Sequence, residues 1–184
     1  MDRVFAGFNS TSRKHCRRAD RIGSLQFHAT HPDFAALYRF HSECERERGW
    51  FPVPESELRN SLVISATFDD EMISAMSCYR TGDRLRLGRI FSKRSSLAKS
   101  DLPAQITGIA AKKIVAKFCQ YGSEEGCSTL DLGGIDVYDP AKQGITNFKR
   151  SFGGEIVPVT IGRYVSAAFE AKKGLIREIG LDVT

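Results

Sequence analysis

The stretch 127–152, CSTLDLGGIDVYDPAKQGITNFKRSF, followed by Gly153-Gly154, organises the rest of the chain. Its opening, Ser128 to Leu132, reads as a short buried strand that stops on a double glycine. A polar loop follows, then a helix of one or two turns carrying Phe148, Lys149 and Arg150. The second double glycine returns the chain to a strand. Paired glycines supply backbone that takes positive φ and lets another molecule approach closely. An aromatic ring beside a cation, framed by two such pairs, suits a carbonyl compound with a flat or anionic tail. Glycines also make corners with no function attached, so a plain strand–turn–helix–turn is the competing reading.

At 184 residues the chain is expected to form one domain, 1–184, with a sizeable core. Hydrophobic content of 41% and charged content of 27% describe an ordinary water-facing globule. The net charge of +5 suits an anionic ligand such as a nucleotide, coenzyme A or RNA without specifying one. Five scattered cysteines with no CxxC argue against a disulfide framework or a zinc site, and for reduced thiols in a cytoplasm. No apolar run reaches membrane-spanning length, and MDRVFAGFNS does not read as a signal peptide.

Working outward, NSTSRKHCRRADRIG (9–23) predicts a basic helix over 10–23, capped by Ser10, Thr11 or Ser12. Arg13, Arg17 and Arg21 fall four apart on one face, as phosphate partners or as a solvated stripe. A strand is expected over Ser24 to Ala29. A helix then starts at Thr30-His31-Pro32-Asp33, with His41 as a packed core residue, and ends at Gly49. Trp50 to Glu55, WFPVPE, reads as a Pro-stiffened loop, either a lid or a plug. From Leu62 the period changes to two, predicting a three-strand antiparallel meander with turns at Asp69-Asp70 and Thr81-Gly82-Asp83. The basic loop Lys93-Arg94-Ser95-Ser96 leads into a long helix, about 103–121, capped by Ser100 or Asp101. Free amides at its start, beside Lys93, Arg94 and Ser95, favour a phosphate or pyrophosphate. Another strand is expected over Ile156 to Val165, and an amphipathic C-terminal helix over 166–180. The order predicts an α/β (α+β) fold: a mixed, mostly antiparallel sheet with helices on both faces.

This pattern resembles the acyltransferase domain of FemAB-type peptidyltransferases. The resemblance covers residues 9 to 165 or so. It is carried by NSTSRKHCRRADRIG, the ERERGWFPVPESELRN region, GIAAKKIVAKFCQYGSEEGCSTLDLGGID and GITNFKRSFGGEIVPV. Its most specific part is the spacing of DLGG (131–134) and FKRSFGGE (148–155). Those proteins share the GNAT fold of N-acetyltransferases, and a single-domain GNAT-like member is expected.

The resemblance implies transfer of an acyl or aminoacyl group from an activated donor, aminoacyl-tRNA or acyl-CoA, to an amine. The setting is cell-wall (peptidoglycan) or peptide-like metabolite synthesis. The donor is a co-substrate, with no tightly bound cofactor and no metal. By position, Asp131, Gly133 and Gly134 close the strand beside the donor's ester or thioester, and Phe148 and Lys149 reach the acyl site. FemAB-type proteins normally carry two such domains, so the acceptor platform is expected either to be missing or to come from a partner domain or a homodimer. The acetyltransferase phosphate loop R/Q-x-x-G-x-G/A is absent where FSKRSSLAKSDLP stands.

The chemistry needs an oxyanion donor and a route for the amine proton. Lys149 is the candidate for oxyanion or phosphate stabilisation. Tyr138 or Asp136 is the candidate relay, and Phe148 the stack for an adenine or a pantetheine arm. Asp131 reads as structural or site-shaping. Cys127 has no histidine nearby in sequence, which argues against thiol catalysis. The alternative is a non-catalytic binding domain that kept the fold after losing its partner domain.

Overall fold

The computed structural model describes residues 2–29, 33–93 and 102–158. Packing divides the chain into two units, Met1–Gly154 and Glu155–Thr184. All the elements described belong to the first unit. In the second, residues 155–158 carry no regular structure, so the strand expected from Ile156 is absent over those positions. Its remainder, and the helix expected over 166–180, lie outside the described residues.

The first unit is built on one five-stranded sheet with its strands in chain order: β1 Leu25–Ala29, β2 Leu62–Phe68, β3 Glu71–Thr81, β4 Arg84–Ser92 and β5 Thr129–Asp131. The first four pair antiparallel, and β5 joins β4 in parallel. Asp69 and Asp70 both hold positive φ (49° and 63°), the backbone that a two-residue hairpin between twisted strands demands. The helices are α1 Asp2–Gly7, α2 Ser10–Ala19, α3 Phe34–Glu47, α4 Glu55–Arg59, α5 Leu102–Glu124 and α6 Gln143–Arg150. The fold is therefore α+β with a mixed sheet, as the sequence predicts.

Alternation along the strands sends side chains to two separate cores. On one face Met76, Cys78 and Leu87 meet Ile109, Ile114 and Phe118 of α5, with Cys16 and Ala19 of α2 behind them. On the other, Val63, Ala75 and Phe91 meet Leu37, Phe40 and Cys44 of α3 and Leu58 of α4. Helices α1 and α4 were not expected. The basic helix is shorter than predicted. Asn9 caps it, with Oδ1 accepting from Ser12 N at 2.8 Å, and it ends at Ala19, with Asp20 next to it meeting Lys113 at 2.6 Å.

All five cysteines are free thiols. Burial pushes Cys44 and Cys119 up to about 11 and raises Cys16 and Cys78 as well, so these four are thiols rather than nucleophilic thiolates at neutral pH.

His41 is fully buried against Phe91, ring centroids 4.6 Å apart, and its Nε2 accepts the Val53 N–H at 3.2 Å. That bond pins the WFPVPE loop through Val53 and leaves Trp50 and Phe51 exposed. Burial first, then the charges of Arg89 and Arg48, pushes the His41 pKa down to about 4 from 6.5. Between those two values the unfolded chain binds more protons here than the folded one, so stability falls as pH drops through that window. The full loss is on the order of 3 kcal/mol. Urea titrations at about pH 7 and pH 4 should show this slope in the native protein and its absence in His41→Gln.

Candidate active site

Strand β5 pairs with β4 only from Thr129 to Asp131, opposite Arg84 to Arg86. Strand β4 runs on to Ser92 without that partner, while Gly133, at φ +74°, turns the other chain away. At the same level β4 carries a bulge. Its register with β3 shifts so that Ser77 faces Arg89 and Cys78 faces Leu87, leaving Gly88 as the extra residue. The Arg89 N–H is taken by the Ser77 hydroxyl at 3.1 Å, and a Cβ at Gly88 would stand 3.0 Å from that same oxygen.

Divergence and bulge together open a cleft of about 750 Å³. Its floor is Ser77 and Tyr79 of β3 with Arg86 and Arg89 of β4. Glu57 and Asn60 stand on the α4 side, and Gly133, Gly134 and Lys149 on the other.

Lys149 reaches this cleft because its neighbours are buried elsewhere. Phe148 stacks edge-on against Phe152, centroids 5.0 Å apart, and Phe152 does the same against Phe8 at 5.0 Å. The Ser151 carbonyl accepts from Asn9 N at 2.9 Å, and Ser12 Oγ donates to Ser151 Oγ at 2.9 Å. Gly153 then passes so close to the N-terminal segment that a Cβ there would lie 1.9 Å from the Gly7 carbonyl oxygen. The F-K-x-x-F-G segment is thus a clip onto residues 7–12, with its lysine on the opposite side.

The Lys149 Nζ donates to the Gly134 carbonyl at 2.8 Å. Burial lowers its pKa below the ordinary lysine value; Asp131 opposes that shift and Arg86 adds to it. Asp131 shapes the turn: its Oδ1 accepts the Gly133 N–H at 2.7 Å, and its Oδ2 lies 3.6 Å from Arg86. Glu57 and Arg89 have no ion-pair partner among the described residues.

No protein-family model matches the chain, and no curated protein matches it in sequence. Solved structures do match it in shape. FemX aligns at TM-score 0.60 and 13% identity over 83% of this chain, which spans 55% of FemX. An aminoglycoside acetyltransferase from an uncultured soil metagenomic sample, in complex with sisomicin, aligns at 0.54 and 15% over 80% of this chain and 97% of its own. Aminoglycoside N-acetyltransferase AAC(6')-Iy in complex with CoA aligns at 0.52 and 11% over 77% and 94%. The fold is GNAT-like. At these identities the likeness is one of fold, shared with acyltransferases.

Of the residues singled out in the sequence, this GNAT-like frame gathers Lys149, Gly133 and Gly134 at the cleft, with Asp131 behind them. It does not bring Phe148, Asp136 or Tyr138 there. Phe148 belongs to the core through Phe152, so its ring stacks on protein. Asp136 accepts from Tyr138 N and Asp139 N and meets Lys142 at 3.2 Å; these bonds depress its pKa and make it a loop cap. The Tyr138 side chain is 92% exposed and does not line the cleft. Lys93 pairs with Glu71 at the end of β4. Arg94 and Ser95 lie outside the described residues. In the basic helix, Arg13 is engaged by the carbonyls of Ala6 and Phe8, while Arg17 and Arg18 stay exposed.

Glu57, Tyr79, Arg86 and Arg89 were missed. The signal was Gly88 inside RLRLGRIFS, since a lone glycine in a strand marks a bulge or a close approach. No described His, Cys, Asp or Glu residues form a group that could hold a metal, and no described helix is long and apolar enough to cross a membrane.

Gly153→Ala should cost roughly 2–4 kcal/mol, from strain at positive φ and overpacking against Gly7. Gly154→Ala, with nothing within 4 Å of its Cβ position, should cost far less. Thermal denaturation of the two variants side by side measures the difference.

Proposed function

We propose that the chain is an N-acyltransferase that moves an acyl or aminoacyl group from an activated ester or thioester to an amine. The observation that carries this reading is the cleft where β4 and β5 part, with the Lys149 ammonium in its wall. There the donor carbonyl has access to β4 backbone freed from β5, and to a cation that burial keeps poorly solvated. The acyltransferases of similar fold, one in complex with CoA and one in complex with sisomicin, support a carbonyl-to-nitrogen transfer in this frame.

The step is attack of a neutral amine nitrogen on the carbonyl carbon. The new C–N bond forms, the carbonyl oxygen takes up negative charge, and collapse breaks the bond to the donor's sulfur or oxygen. Lys149 is placed to stabilise the oxyanion or an adjacent phosphate of the donor. Glu57, a carboxylate with no ion-pair partner among the described residues, is the candidate to take the amine's proton. The Tyr79 hydroxyl on the floor is the candidate to return one to the leaving group. These two replace Asp136 and Tyr138, whose positions lie away from the cleft.

Acyl-CoA and charged tRNA remain the two donor classes. A tRNA user should retain RNA in a salt-dependent way and lose it when Arg17 and Arg18 are neutralised. Incubation with a panel of acyl-CoAs, or with charged tRNA, and simple amines should give an amide product. Lys149→Ala should lower turnover by about a hundredfold. Because its ammonium deprotonates below the ordinary lysine value, activity should fall on the alkaline side in the native enzyme. In Lys149→Arg, if active, that limb should move to higher pH. Ligand binding with no transfer from either donor class would favour a binding domain instead. Unchanged turnover in Lys149→Ala would remove that residue from the mechanism.

A further inference from the structure

The cleft has a charge pattern that the transfer reaction alone does not require. Arg86, Arg89 and Lys149 line it against one acidic side chain, Glu57. Arg86 is compensated by Asp131 at 3.6 Å, and Lys149 is held by a carbonyl. Arg89 is different. Its guanidinium has no carboxylate within 4 Å among the described residues, and no described side-chain hydrogen bond. Its backbone N–H is fixed to Ser77, so the bulge holds the residue in place. Pairing across from Ser77 puts Arg89 on the sheet face that also carries Phe91, where its charge bears on buried His41.

An uncompensated arginine on the floor and an uncompensated carboxylate on the wall match a molecule with an anionic end and an amine end. The guanidinium fork accepts a carboxylate in two parallel hydrogen bonds, a geometry that a lysine cannot reproduce. A polycation such as sisomicin, which one acetyltransferase of similar fold binds, would face three like charges here and desolvate them without compensation. We infer that the acceptor is an amine that itself carries a carboxylate, an amino acid or the equivalent end of a short peptide, with Arg89 as its specificity residue. This rests on the acyl-transfer reading for the role of the amine, and on the cleft's own charges for the acid.

The test compares twins that differ only by the carboxylate: tyrosine with tyramine, and lysine with cadaverine, with sisomicin as the polycation. Binding to the whole protein is read by saturation-transfer NMR and calorimetry, and amide formation is read separately with the acyl-CoA and charged-tRNA donors. The native protein should bind each carboxylated twin about tenfold tighter or more. Arg89→Ala should bring that ratio close to one while leaving binding of the decarboxylated twin unchanged. Arg89→Glu should reverse the order and admit the polycation. Because Arg89 is exposed, circular dichroism of each variant should match the native protein. Equal binding of the twins, or a ratio that survives Arg89→Ala, overturns the inference. A carboxylate preference with no amide product from either donor leaves it standing and overturns the acyl-transfer reading. Amide formation without the preference does the reverse.

Discussion

Parallel pairing between β4 and β5 lasts three residues, and the site depends on that brevity. A longer β5 would satisfy the free edge of β4 with backbone partners and fill the space with sheet. Two devices keep the strands apart. Gly133, in left-handed backbone, turns one chain away, and its own N–H is taken by Asp131. The bulge at Gly88 bends the other, with a serine hydroxyl standing in for a ladder partner. Each device satisfies a backbone N–H at the bend it makes, Gly133 through Asp131 and Arg89 through Ser77, while the β4 edge beyond Arg86 stays open toward the cleft.

The electrostatics follow from where the walls come from. Alternation along β4 sends Arg86 to the face opposite Leu85 and Leu87, and the bulge at Gly88 shifts the phase so that Arg89 joins it on the cleft floor. Lys149 arrives from a separate element and is half-buried, which lowers its affinity for its proton. Asp131, bound both to the turn and to Arg86, opposes that fall.

The sheet and its main helices were legible because the period-two runs from Leu62 to Ser92 and the long apolar helix after them are strong local signals. The double glycines were legible for the same local reason, and they located Lys149. What sequence spacing did not convey was direction. Phe148 and Lys149 are neighbours, yet a helix sends consecutive side chains about 100° apart, so one ring goes to Phe152 and the ammonium to the cleft. Asp136 and Tyr138 lie close to the glycine pair in sequence, but the loop bonds to itself and carries them outside. Glu57 and Arg89 are far from the motif in the chain, and the tertiary fold brings them to it. Only Gly88 gave a local hint, and it lay inside a strand that already read well without it.

The clip between Ser151 and Ser12 joins positions 139 residues apart. Contacts of such separation form late, because closing the intervening chain costs entropy before the contact returns anything. During synthesis the sheet, α3 and α5 have their partners before α6 emerges, whereas the Phe8–Phe152–Phe148 stack does not. Competence would therefore be acquired in the closing moments of folding, when the last strand-to-helix segment meets a beginning made long before it. A chain halted short of Phe148 would hold most of its hydrophobic interior and still lack the ammonium group of the cleft.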